Sequence, residues 1–121
     1  MYVLDTNVLI YHAAGDTTVA AFFDEHRYDI FYVPSIVVAE FLSYPLITAL
    51  AVHAFRSFVS QTIVVNLDFL IAEQAATVRR THKVKLIDAI VAATALTSGA
   101  ALVTRNARDF KKIAGLKLFD V

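Results

Sequence analysis

Four short apolar, β-branched runs, Tyr2–Leu4, Ile30–Val33, Thr62–Val65 and Ala101–Thr104, are separated by stretches with helical patterning, and Lys117–Phe119 is a weaker fifth candidate. Strands that alternate with helices pair in parallel through right-handed crossovers. The expected architecture is an α/β, three-layer sandwich around a central parallel sheet. In such sheets ligands bind beyond the carboxyl ends of the strands. That directs attention to Asp5, which closes the first run, and to Thr104, Arg105 and Asn106, which close the fourth.

The stretches between the runs carry helix signals. Thr6 or Asn7 can cap a helix through about Ala14, and Asp16–His26 reads as a second. Ser35 is placed to cap a helix carrying Ile36 to Glu40. From Leu46 to Val59 the residues Leu46, Leu50, Ala54, Phe55 and Phe58 recur at helical spacing, which predicts an amphipathic helix with a buried apolar stripe. Asp68 reads as the N-cap of a helix to Arg80, and Leu86–Leu96 is apolar nearly all round, as in a helix buried on several sides. Gly15, Gly99 and Gly115 fall where elements should end. There is no repeat and no linker, so one domain over residues 1–121 is expected.

Composition narrows the function classes. With 58% hydrophobic residues and 18% charged, disorder is excluded. The mean hydropathy of +0.60 exceeds what a monomer of this size easily hides, so a homodimer or a permanent partner is expected. A membrane span needs roughly 18 uncharged apolar residues. The two longest stretches without Lys, Arg, Asp or Glu, Phe41–Phe55 and Ala89–Thr104, are interrupted by Pro45 and His53 and by Gly99. Asp5 interrupts any leader-like run at the N-terminus, and the expected location is cytoplasmic. There is no cysteine, so a metal would sit on oxygen or imidazole. His12, His26, His53 and His82 show no common ligand spacing.

The 11 basic and 11 acidic residues are unevenly placed: residues 61–121 hold nine of the basic ones. Arg79, Arg80, Lys83 and Lys85 form one cluster, and Arg105, Arg108, Lys111 and Lys112 form another. Such a rim can attract a polyanion at zero net charge.

Three acids stand in apolar sequence surroundings: Asp5 after Val3-Leu4, Glu40 within Val37-Val38-Ala39-Glu40-Phe41-Leu42, and Asp88 within Leu86-Ile87-Asp88-Ala89-Ile90-Val91. A carboxylate there is costly to ionise without a cation, a donor or a metal. Each has an ordinary alternative: Asp5 as a helix cap, Asp88 as a first-turn acid favoured by the helix dipole, Glu40 as a solvent-facing residue. If the three converge, an all-oxygen site suits Mg²⁺ or Mn²⁺, and such an ion supports phosphoryl chemistry.

Leu4-Asp5-Thr6-Asn7-Val8-Leu9 resembles the opening motif of PIN domains, the nuclease fold of VapC-type toxins. Ser35–Glu40, the stretch Leu86 to Ala95, and Leu102-Val103-Thr104-Arg105-Asn106 with Asp109-Phe110 resemble three further motifs of that family, in order, across essentially the whole chain. The resemblance implies a Mg²⁺- or Mn²⁺-dependent endoribonuclease with Asp5, Glu40 and Asp88 as metal-site acids and Asp109 as the fourth. Asn106 stands where other members have an acid, and serves as a neutral ligand or water-holder. Thr6 and Thr104 resemble hydroxyls that orient the carboxylates, with Asn7 as a further supporting residue, and Arg105 and Arg108 would hold RNA phosphates. Hydrolysis would leave 5′-phosphate and 3′-hydroxyl ends. The family further implies a cognate antitoxin that fills the groove over the acids, and dimerisation. Ile87 departs from the pattern, which often has proline there.

Two other readings remain. A receiver-like phospho-signalling domain shares the length, the alternating pattern, an acid after the third strand (Asp68) and Thr104, but lacks an acidic pair after the first strand. The other is a PIN domain that only binds RNA or protein. A haloacid dehalogenase-type phosphatase would need an aspartate at Asn7.

Overall fold

The computed structural model describes residues 1–121. It contains β1 (Tyr2–Leu4), α1 (Thr6–Ala13), α2 (Thr17–Glu25), β2 (Phe31–Pro34), α3 (Ser35–Leu42), α4 (Ala49–Val59), β3 (Ile63–Val65), α5 (Phe69–His82), α6 (Leu86–Ser98), β4 (Ala101–Thr104), α7 (Ala107–Phe110) and β5 (Leu118–Asp120). All strand pairs are parallel and the order is β3-β2-β1-β4-β5. The expected α/β sheet with helical crossovers is what forms.

Val3, Leu4, Leu102 and Val103 in the two central strands are fully buried, the pattern of a parallel sheet covered on both faces. Helix α6 matches its near-continuous apolar sequence: Ala89 to Ala95 are buried without interruption. The run ends where Gly99 takes φ 66, a left-handed conformation that costs glycine little. Asp16, Thr48 and Asp68 cap α2, α4 and α5 by accepting main-chain N–H bonds. Asp68 is thus the cap expected.

Several local expectations are corrected. Helix α1 is capped by Asp5 itself, whose side chain accepts from Thr6 N–H, so Thr6 and Asn7 lie inside the helix. Ser35 does not cap α3; its Oγ accepts from Leu67 N–H at 3.1 Å and ties the end of β2 to the segment after β3. The helix expected over 46–59 begins at Ala49, because Pro45 breaks the pattern and Thr48 supplies the cap. Its apolar stripe is fully buried only at Phe55, which stacks on Phe41 at 4.0 Å. Leu46 and Leu50 remain 76% and 78% exposed. Between α1 and α4 this leaves an apolar cavity of about 440 Å³ lined by residues including Leu9, His12, Phe41 and Phe58. A wider one of about 730 Å³ adjoins it, with Glu40, Tyr44 and Leu46 at its walls. No helix is long and apolar enough to cross a membrane.

Candidate active site

The chain builds the sheet outward through β1, β2 and β3, then returns to the other side of β1 with β4 and β5. The carboxyl ends of β1 and β4 therefore flank the topological switch point, where open α/β sheets bind ligands. Asp5 follows β1 directly, and its N–H continues the ladder by donating to Val103 O at 3.1 Å. The main chain thus fixes where this acid stands.

Asp5 is only 6% exposed. Its Oδ1 accepts from Thr6 N–H at 2.9 Å and its Oδ2 from the Thr104 hydroxyl at 2.8 Å. Burial pushes its carboxyl up to about 6; the bonds from Thr104 and Thr6 oppose the rise, while Asp88 and Glu40 add to it. Thr104 Oγ also accepts from Asn106 N–H at 2.9 Å, so its own proton is committed to Asp5. Thr6 Oγ, beside Asp5, is the one buried side-chain polar atom with no hydrogen-bond partner.

Asp88 is half-buried in the first turn of α6. Its pKa is raised by burial first, then by Asp109; Lys85 opposes the rise and Glu40 adds to it. Glu40 is exposed near the end of α3 rather than set among its apolar sequence neighbours, because a helix turns Val37 and Phe41 to the core and Glu40 away. Asp109 is exposed on α7, where its Oδ2 accepts from Asn106 Nδ2 at 2.7 Å. Asn106 thus holds an acid. The four carboxylates lie within one another's field, Asp5 with Asp88 and Glu40, and Asp88 with Glu40 and Asp109. As placed, no three acidic or histidine side chains are close enough together to ligate one ion. The donor chemistry nonetheless fits a hard divalent cation: all-oxygen, free of cysteine, and combining one locked carboxylate with exposed ones able to turn.

Arg105, expected at RNA phosphates, is committed elsewhere. Its Nη1 and Nη2 donate to Asp16 Oδ2 and Oδ1 at 2.9 and 2.8 Å, and its guanidinium lies 4.3 Å from the Tyr11 ring centroid. The bond from Arg105 holds Asp16 below the usual carboxylate range. Arg108 is exposed, and neither it nor Lys85 is paired with a carboxylate. Asn7 Oδ1 accepts the Arg105 N–H at 3.4 Å, which leaves no second acid for a dehalogenase-type site. The receiver reading fails as well. Its strand order is 2-1-3-4-5, unlike this sheet, and Asp68 is occupied in capping α5. Sequence reasoning alone misses Asp16 and Tyr11, since an ordinary cap and a surface tyrosine carry no signal of a partner far along the chain.

Fold and site define a parallel α/β domain with acids gathered about its switch point. The chain belongs to the PIN domain family, whose pattern it matches over residues 2–116. Its fold is similar to VapBC2 from Rickettsia felis bound to a DNA fragment from its promoter, with a TM-score of 0.87 and 21% identity over 99% of this chain and 98% of that one. It is also similar to a toxin-antitoxin complex from Klebsiella pneumoniae, with a TM-score of 0.82 and 27% identity over 100% of both chains. FitAcB from Neisseria gonorrhoeae aligns with a TM-score of 0.75 and 25% identity over 99% and 97%. No curated protein sequence matches significantly.

Proposed function

We propose that residues 1–121 act as one metal-dependent endoribonuclease, the toxin of a toxin-antitoxin pair, working in the cytoplasm. The observation that carries this reading is the field of four acids at the switch point, in which Lys85 tempers Asp88 and no cation tempers Asp5. Like charges gathered this way favour a compensating cation among them. Oxygen ligands without cysteine or paired histidine select Mg²⁺ or Mn²⁺. When bound, the ion supplies Lewis acidity at a phosphoryl oxygen and acidity to water.

The chain's own residues do the rest. Asp5, locked by Thr104 and Thr6, presents one carboxylate in a fixed orientation, and Asp88 presents a second from the start of α6. Glu40, exposed, turns toward the site, and Asp109, held by Asn106, completes the ligand set or takes a proton from the attacking water. Unpaired Arg108 and Lys85 hold the phosphates on either side of the scissile bond. Membership of the PIN family supports this reading, as does the likeness to the Klebsiella pneumoniae toxin-antitoxin complex. A cognate antitoxin accounts for the apolar groove between α1 and α4, which ends at Glu40. Phe69 and Leu70, 82% and 60% exposed at the start of α5, leave apolar surface for a second copy in a homodimer.

Purified protein incubated with single-stranded RNA tests the reading. Cleavage is expected with Mn²⁺ or Mg²⁺, with 5′-phosphate ends, and none in EDTA. Undiminished cleavage in EDTA contradicts the metal role, and RNA binding without cleavage at saturating metal puts the binding-module reading in its place.

A further inference from the structure

We infer that Asp16 and Arg105, with Tyr11, form a clamp that positions the acidic site without touching the reacting atoms. The inference rests on the nuclease reading for its consequence and on the geometry for its existence. The two side chains meet through a two-pronged fork at 2.8 and 2.9 Å and are each only about a quarter exposed. Such forks fix orientation as well as distance. Asp16 is itself immobilised, because its Oδ1 accepts from Thr18 and Val19 N–H at 3.0 Å. The guanidinium also lies over the Tyr11 ring, 4.3 Å from its centroid.

The main chain at Arg105 is the middle of the only segment that touches two of the four acids. Thr104, just before it, donates to Asp5 Oδ2, and Asn106, just after it, donates through Nδ2 to Asp109 Oδ2. The Asn106 N–H also fixes the polarity of the Thr104 hydroxyl. Helix α7, which begins immediately after Asn106, is a four-residue turn too short to hold its own geometry. Pinning Arg105 to the α1–α2 corner therefore fixes the orientation of Asp5 and the place of Asp109 together. An arginine reserved for phosphate would leave its fork open to solvent, whereas both prongs here are engaged.

Two conservative variants decide it. Arg105→Lys keeps the charge and loses the fork; Asp16→Asn keeps the helix-capping oxygen and loses the charge. The clamp predicts that both act in the same direction. Amide exchange at Asn106 accelerates, Mn²⁺ affinity measured by calorimetry falls by ~10-fold, as for groups that orient metal ligands, and kcat falls while KM and its salt dependence stay put. The double variant should be no worse than the singles, since either one already breaks the pair. A higher KM with a flatter salt dependence in Arg105→Lys, and none of this in Asp16→Asn, would make Arg105 a phosphate ligand and overturn the clamp. A lowered melting temperature with Asn106 exchange and Mn²⁺ affinity unchanged would reduce the pair to a structural bridge and overturn it too. A wild-type protein that neither binds Mn²⁺ nor cleaves RNA sinks the nuclease reading, while unchanged Asn106 exchange in the variants sinks the clamp.

Discussion

Asp88→Asn is expected to raise the melting temperature in EDTA by a few degrees and to lower metal-dependent RNA cleavage by ~10²-fold or more, beyond the loss typical of groups behind metal ligands. Two effects compete at this position. An acid in the first turn of α6 gains about 0.3–1 kcal/mol from the helix dipole, and asparagine gives that up. Against it, burial and the charges of Asp109 and Glu40 disfavour the carboxylate, and Lys85 offsets only part of this. The net direction is a raised pKa, so the neutral, nearly isosteric side chain is the more stable one at neutral pH. Because Asp88 is half-exposed, solvent screening keeps the gain small. Added Mn²⁺ should then narrow or reverse the difference, since a ligand stabilises only the form that binds it. A destabilised yet active Asp88→Asn protein would return Asp88 to the ordinary role of a helix-dipole acid.

The second large effect is on pH dependence. Asp5 has a carboxyl raised from 3.8 to about 6, so the folded protein binds its proton more tightly than the unfolded chain does. Its stabilising contribution is fully present below pH 3.8 and is lost as pH rises through about 6. At 1.36 kcal/mol per unit, the swing is about 3 kcal/mol. His12 acts oppositely: burial lowers its pKa from 6.5, so its contribution is present above 6.5 and is lost as pH falls. The measurement is therefore the difference between wild type and Asp5→Asn, both of which retain His12, by chemical denaturation in EDTA. Wild type should gain on the variant by about 2 kcal/mol, most of the full swing, as pH falls from about 7 to about 4. The Mn²⁺-induced stabilisation of wild type should shrink over the same range, because proton and cation compete for one carboxylate. Parallel profiles would mean that Asp5 ionises like a surface aspartate.

The sheet was legible in the sequence because its inner strands β1 and β4 are buried on both faces and leave short apolar runs, and because the edge strand β3, though largely exposed, is β-branched, while α6 leaves a long apolar run. The helix starts were less so. At the first strand's end, Asp5, Thr6 and Asn7 all have capping chemistry, and only the continuation of the β ladder through the Asp5 N–H makes Asp5 the cap. In α4 the hydrophobic spacing ran on through Leu46, yet spacing alone does not show that Pro45 and Thr48 reset the start. Glu40 shows the limit of reading surroundings from neighbours, since on a helix residues adjacent in sequence point different ways. The acids were visible as types and positions. Their orientation was not, because it depends on Thr104 and on Arg105, whose partners Asp5 and Asp16 lie 99 and 89 residues away.

The central claim is that Asp5 and Asp88 are two ligands of one divalent cation. An anomalous-difference map from a crystal soaked in Mn²⁺, collected near the manganese edge, tests this directly. A peak is expected beyond the carboxyl ends of β1 and β4, within bonding reach of both carboxylates, and it should disappear in Asp88→Asn. A peak elsewhere, or a featureless map at that position under saturating Mn²⁺, would contradict the claim.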